Sequence, residues 1–451
     1  MNKKHINILI VSFALFAMYF GAGNLIFPPM LGATGGKDWL IGLFGFLLSE
    51  VGLIAVGLIA ATISDGKVEN FAAGLPKWFS LIIFVSIALI LGPLFVVPRT
   101  AATTFEIAIL PIVQDKFSEQ GIFIVNCVIN AVFFLITLVF VLTPTSIIDK
   151  IGKFLTPCLL VVLAFLIFKG IFFPLGPIVS TENTPEQLFA LGIREGYQTM
   201  DALAAILFGA MVINSFVEKG YNDKQDIFKM SVWATIGTCI GLAVVYAGLA
   251  YLGAAATSIL PNDISRTTRL VLITQALYGP IGTVLLSLSV SLACLTTSIG
   301  LIGSISEYFQ KLFSIPLKPI VVSLTIFSFF ISIVGVESII TFAAPVLEIL
   351  YPIVVVLFFL SFFSKILPNY WFKRGAVIGA AVVSFFSVLL ACDASFGTNF
   401  ASTPIYDIVH FFPFSDIGIG YFLPSCIFSL LCGFIAMLFS PKKETEHTDI
   451  S

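Results

Sequence analysis

The decapeptide Phe20-Gly21-Ala22-Gly23-Asn24-Leu25-Ile26-Phe27-Pro28-Pro29 sets two glycines, an asparagine and a proline pair inside an apolar stretch of membrane-crossing length. A helix surrounded by lipid keeps its backbone bonds, because hydrocarbon offers freed N–H and C=O groups no partners. A break at mid-depth makes sense where the loosened backbone lines a cavity enclosed by protein. The freed carbonyls can then coordinate a cation, and N–H groups at Gly21, Ala22, Gly23 and Asn24 can face a carboxylate. Small residues also serve close helix packing, but Asn24 adds a polar side chain at depth and each proline removes a backbone donor. The prolines are therefore expected to open the outer half of this helix.

Two further segments carry comparable chemistry. Gly196-Tyr197-Gln198-Thr199-Met200-Asp201-Ala202-Leu203-Ala204 opens a second apolar stretch with polar groups and one carboxylate. An ionisable residue inside a membrane segment is a functional candidate by default, so Asp201, with Tyr197 and Thr199 beside it, is expected at a binding site. In Ala293-Cys294-Leu295-Thr296-Thr297-Ser298, the residues at i, i+3 and i+4 share one helix face. The Ala293 carbonyl and the Thr296 and Thr297 hydroxyls can converge there as the hard oxygens that a monovalent cation prefers, although threonines in membrane helices also bond back to their own carbonyls. Glu50 and Arg99 both lie deep in apolar segments, where unpaired charge is costly, and are expected to pair. Glu348 is a further protonatable candidate.

These residues need helices to position them, and the composition leaves little choice of solvent for those helices. The 451 residues are 58% hydrophobic and 11% charged, against about 25% charged in soluble chains. Mean hydropathy is +1.07. A span needs about 20 apolar residues, which predicts twelve: 7–30, 40–63, 79–105, 121–142, 152–173, 197–217, 229–252, 281–304, 319–336, 342–363, 375–392 and 418–440. Residues 174–196 read as a surface loop, and 262–278 as an external helical hairpin. Sixteen lysines and arginines fall on the N-terminal side of this arrangement, against Lys37, Lys116, Arg194, Arg266 and Arg269 on the other. The positive-inside rule then puts both termini in the cytoplasm. A net charge of −2 points to no nucleic-acid partner. No segment is long and polar enough to house an ATPase or kinase domain, and no Asp-rich or His/Asp cluster suggests a membrane enzyme. The lipid bilayer is the one partner this composition demands, and oligomeric state is not encoded in it.

Together, the motifs at Phe20–Pro29 and Gly196–Ala204 resemble the bacterial branched-chain amino acid:cation symporters, over nearly the whole chain. The resemblance implies an all-α polytopic protein of the leucine-transporter fold, with two inverted five-helix repeats (1–173 and 174–365), two added helices (366–441) and a cytoplasmic tail (442–451). Spans one and six would be broken. It implies uptake of leucine, isoleucine and valine across the bacterial cell membrane, driven by sodium or protons, with no cofactor and no enzymatic activity. It also implies a sodium site between spans one and eight, formed by the carbonyls of Ala17, Phe20 and Ala293 and the hydroxyls of Thr296 and Thr297. A zwitterion would set its carboxylate against Gly21–Asn24 and its ammonium against carbonyls of the two broken helices, helped by Asp201, with an apolar pocket for its side chain. A related-fold cation symporter for another small neutral substrate is the alternative.

Overall fold

The computed structural model describes residues 3–143, 146–261, 263–364 and 366–439. The tail predicted at 442–451 lies outside them. Among the described residues the regular structure is helical. Nine helical runs are long and apolar enough to cross a membrane, and Leu160–Phe172 and Leu317–Ser332 are shorter apolar helices.

The chain begins with α1 (Lys3–Tyr19), leaves helical geometry at Phe20 and Gly21, and resumes as α2 (Ala22–Gly35). Helix α3 follows over residues 39–63, with a widened turn at Leu48–Gly52 that carries Glu50. Next come α4 (Lys77–Val113), bent at Gly92-Pro93, then α5 (Glu119–Leu142) and α6 (Ser146–Phe172). The second half opens with α7 (Pro185–Thr199) and α8 (Asp201–Glu218), separated by Met200 alone. It continues through α9 (Lys224–Ala255), α10 (Arg266–Phe313), α11 (Leu317–Ser332) and α12 (Val336–Phe362). Helices α13 (Tyr370–Phe396) and α14 (Phe422–Phe439) pack on each other and complete the bundle.

Several sequence expectations are corrected here. Span six starts at Pro185 rather than 197, so the second half of the expected 174–196 loop is helix. Thr184 starts it, its hydroxyl accepting from the Gln187 N–H while the Gln187 side chain accepts from the Thr184 N–H. This segment was missed because α7 is polar enough (Glu186, Gln187, Arg194, Glu195) to resemble a surface loop. Residues 266–278 form one helix rather than a hairpin. A kink at Gly279, whose φ of 62° suits glycine and which precedes Pro280, separates it from the rest of α10. Pro28 and Pro29 do not open α2, which runs through both.

Large apolar side chains point outward over much of the surface, including Ile281 at 75% exposure and Phe165 at 64%. A soluble monomer rarely shows so much contiguous apolar surface, whereas lipid is its natural solvent. Inside, α2 meets α9 backbone to backbone. A Cβ on Gly32 would lie 1.8 Å from the Ala250 carbonyl oxygen, and one on Gly253 would lie 1.9 Å from that of Pro29. Only glycine permits that approach.

Candidate functional site

Each interrupted helix exposes backbone groups of both signs. At the end of α1 the Phe20 N–H still reaches the Phe16 carbonyl at 2.8 Å, but the Gly21 N–H turns to the Asn24 side-chain oxygen at 3.1 Å. The carbonyls of Ala17, Met18 and Tyr19 therefore lack the helical partners they would have in an unbroken span. The first N–H groups of α2 (Ala22, Gly23, Asn24) equally have no turn before them. The same happens in span six. Met200 adopts φ 68°, ending α7 and starting α8 with Asp201. Thr199 donates to the Gly196 carbonyl at 2.7 Å, and its hydroxyl accepts from the Asp201 N–H at 3.4 Å.

A single buried cation holds the second break. The Arg99 guanidinium donates to the Gln198 carbonyl at 2.6 Å and the Thr199 carbonyl at 3.1 Å, while lying 5.5 Å from the centre of the Phe27 ring. A positive charge at the carbonyl end of α7 and a carboxylate at the N–H end of α8 both complement their helix dipoles. The expected Glu50–Arg99 pair is not formed. Glu50 instead accepts from the Tyr246 hydroxyl at 2.8 Å and the Asn24 amide at 3.3 Å. Asn24 also donates to Asp201 at 2.5 Å and lies 2.5 Å from the Tyr246 hydroxyl. Four elements, α2, α3, α8 and α9, are thus tied through one asparagine.

A cavity lies where the breaks meet. Gly21, Ala22, Gly23, Asn24, Thr199 and Asp201 all line it, together with Thr297 from α10 and Arg99. Apolar residues Met18, Leu91, Val96, Ala204, Phe208 and Leu301 make up most of the remaining wall, with Tyr19 and Thr100 among them. Its free volume is about 20 Å³, room for roughly one water, so admitting an amino acid requires the surrounding helices to part.

The two threonines play different parts. Thr296 donates back to the Ala293 carbonyl at 2.9 Å, yet its oxygen keeps lone pairs for a cation. The Thr297 hydroxyl is buried with no hydrogen-bond partner among the described residues, and it sits 3.5 Å from where a Gly21 Cβ would be. The threonine face of α10 therefore meets the open end of α1. Phe20 is buried and Ala17 half-buried beside it.

With this geometry, the comparisons with known proteins become specific. Residues 4–439 match the model of the branched-chain amino acid transport protein family. The chain belongs to this family. Among curated relatives, the branched-chain amino acid permease BraB of Bacillus subtilis is 33% identical, with 97% of each chain covered. The permease BrnQ of the same organism is also 33% identical, over 96% of this chain and 98% of the relative. A putative branched-chain amino acid carrier of Staphylococcus saprophyticus is 36% identical over 86% of this chain and 88% of its own. Two solved structures share the fold. The nucleobase-cation-symport-1 family transporter MHP1, closed with bromovinylhydantoin bound, superimposes with a TM-score of 0.63 at 13% identity, covering 97% of this chain and 94% of its own. MhsT in complex with L-phenylalanine gives 0.56 at 17% identity, covering 95% and 98%. The chain is accordingly a multi-pass member of a transporter family with the leucine-transporter fold.

Some singled-out residues lie elsewhere. Tyr197 is outside the cavity lining; its ring stacks on Tyr351 at 4.4 Å and its hydroxyl lies 3.5 Å from that of Tyr421. Glu348 lines a separate cavity with Ser384, Ser387 and Tyr421. Arg99 as the brace of span six and Tyr246 as the partner of Glu50 were missed. Arg99 was visible as a buried charge, but nothing local says that its partners are backbone carbonyls.

Proposed function

We propose that the protein imports leucine, isoleucine and valine by cation symport across the bacterial cell membrane, with both termini cytoplasmic. The observation that carries this reading is the meeting of two helix breaks on one apolar-walled cavity whose polar groups suit a zwitterion. The substrate carboxylate would face the N–H groups of Ala22, Gly23 and Asn24, at the positive end of α2. The ammonium would face Asp201 and the open carbonyls of α1. Arg99 is engaged by carbonyls of the chain itself, which leaves no free cation for an acidic side chain among the described residues that line the cavity. The apolar wall takes the substrate side chain, and one methylene more or less changes binding by only about 1–3 kcal/mol, so the three branched substrates would share the site. Sodium would sit between Ala17, Phe20, Ala293, Thr296 and Thr297. The unpartnered hydroxyl of Thr297 supports that assignment, since a buried oxygen without a donor suits a hard cation.

Uptake of labelled leucine into proteoliposomes tests the reading. Excess isoleucine and valine should abolish the signal, whereas lysine and glutamate should barely reduce it. Equal competition by a charged amino acid, or no competition by valine, would remove the apolar-pocket assignment and favour another small neutral substrate.

A further inference from the structure

We propose that Glu50 and Asp201 share one proton and exchange it with the cavity in each transport cycle, at a site separate from the sodium site. This deepens the transport reading above and rests on it. The geometry starts at Asn24, whose amide nitrogen lies 2.5 Å from the Asp201 carboxylate and 3.3 Å from that of Glu50. One amide group therefore bridges two buried acids, on α8 and α3. Glu50 is 0% exposed, and its second oxygen, Oε2, has no hydrogen-bond partner among the described residues. The Tyr19 hydroxyl, from α1, is likewise buried without a partner, and its side chain lines the same cavity as Asp201.

The charge balance decides what the pair holds. The titratable and charged groups around it are Tyr19, Arg99, Cys239, Tyr246 and Tyr351. Of these only Arg99 is a cation, and its hydrogen bonds go to carbonyls rather than to either acid. Two ionised carboxylates against one guanidinium leave one buried negative charge uncompensated, which low-dielectric surroundings penalise strongly. One proton restores neutrality. A metal cation fits less well, because the Asn24 oxygen is committed to the Gly21 N–H and the amide hydrogens face the acids. An amide N–H is no ligand for a metal ion, whereas a carboxyl pair readily shares a proton. Asp201 lines the cavity and Glu50 does not, so the proton enters and leaves through Asp201. Nothing else is consumed: a proton leaves water on one side, resides on a carboxylate oxygen, and is returned to water on the other.

The test uses the full-length protein in proteoliposomes with equal sodium on both sides and a pH-sensitive dye in the lumen. Leucine–leucine exchange without any gradient is measured first; its absence would defeat the transport reading itself. With exchange present, leucine entry should acidify the lumen, and one unit of inward pH gradient should drive about tenfold leucine accumulation at one proton per leucine. Glu50→Gln removes one negative charge, so the protons moved per leucine should fall to none. Tyr246→Phe, which keeps the ring and deletes a donor to Glu50, should move the pH of half-maximal uptake and serves if Glu50→Gln does not fold. Leucine entry without proton movement in the parent, or the parent's proton ratio in Glu50→Gln, would overturn the proposal while leaving transport intact.

Discussion

The two helix breaks expose similar backbone groups, yet they are held open differently. In span one the chain does the work locally. Gly21 and Gly23 permit close approach, and Asn24 caps the Gly21 N–H from three residues away. In span six no glycine stands at the turn. Met200 takes a left-handed conformation that costs a non-glycine residue roughly 1–2 kcal/mol, and it is fully buried. What compensates lies 100 residues away in sequence: Arg99 on α4, holding the Thr199 carbonyl as well as that of Gln198. One break is written into its own segment, and the other is imposed by a tertiary contact. The two also meet, because a Cβ on Gly23 would lie 2.8 Å from an Arg99 nitrogen.

This contrast can be broken most forcefully at Arg99. Arg99→Ala removes two charge-assisted hydrogen bonds worth ~1.5–3 kcal/mol each, so leucine uptake should fall by about a hundredfold or more. Arg99→Lys, which cannot reproduce the forked contact, should rescue only part of it. Comparable loss in Arg99→Ala and in an exposed control would mean that the brace is dispensable. Next comes the point where the breaks touch. Gly23→Ala pushes into a guanidinium pinned by two carbonyls and by Phe27, and overpacking of this kind costs ~1–3 kcal/mol. Uptake should drop about five- to hundredfold. Gly21→Ala meets only ordinary contacts at 3.5 Å from Thr297, and should stay within about twofold of the parent. The reverse ranking would show that Gly21 carries the break.

Thr297→Val sharpens the comparison on the cation side, since it keeps the shape and removes one oxygen facing the open end of α1. A missing polar partner costs ~1–3 kcal/mol. The sodium concentration for half-maximal leucine uptake should rise about five- to hundredfold, with leucine affinity affected mainly at low sodium, because coupled sites are reciprocal. An unchanged sodium response would take this residue out of the site. The smallest effect on transport is expected from Met200→Gly. Relief of strain gains ~1–2 kcal/mol, but emptying a buried methionine site loses ~2–5 kcal/mol. At the centres of these ranges burial wins, so thermal unfolding in detergent should occur at lower temperature by a net cost of about 2 kcal/mol, while uptake by the folded fraction persists. A stabilised Met200→Gly variant would show instead that this turn behaves like a glycine turn.

The same contrast explains what could be read from the sequence. Membrane class and the break near Gly21 follow from composition and glycine spacing, both local signals, whereas the proximity of Thr297 to that break was implied only by the family resemblance. Span six was placed twelve residues late because α7 carries Glu186, Gln187, Arg194 and Glu195, a polar pattern that hydropathy assigns to loops. One of those charges is satisfied within the protein: Arg266, from α10, pairs with Glu195 at 2.8 Å and also with Glu337 of α12. The Glu50–Arg99 expectation failed for a related reason. Complementary signs suggest a pair, but the open carbonyls of a broken helix compete for a guanidinium as well as a carboxylate does, and they become visible only once the break is placed.

The glycine contact between α2 and α9 bears on how such a molecule can move. Two backbones in direct contact cannot slide or rotate past each other without collision, so this half of span one and span seven travel as one stiff body. Helix α1 also rests on α9, but through side chains: Cβ atoms at Gly237 and Gly241 would meet Ser12 Oγ at 2.7 Å and the Phe16 ring at 3.1 Å. Side chains can change rotamer where backbones cannot. Compliance is therefore concentrated on the α1 side of Phe20-Gly21, so any swing of the first helix would pivot on that dipeptide while its continuation stays clamped.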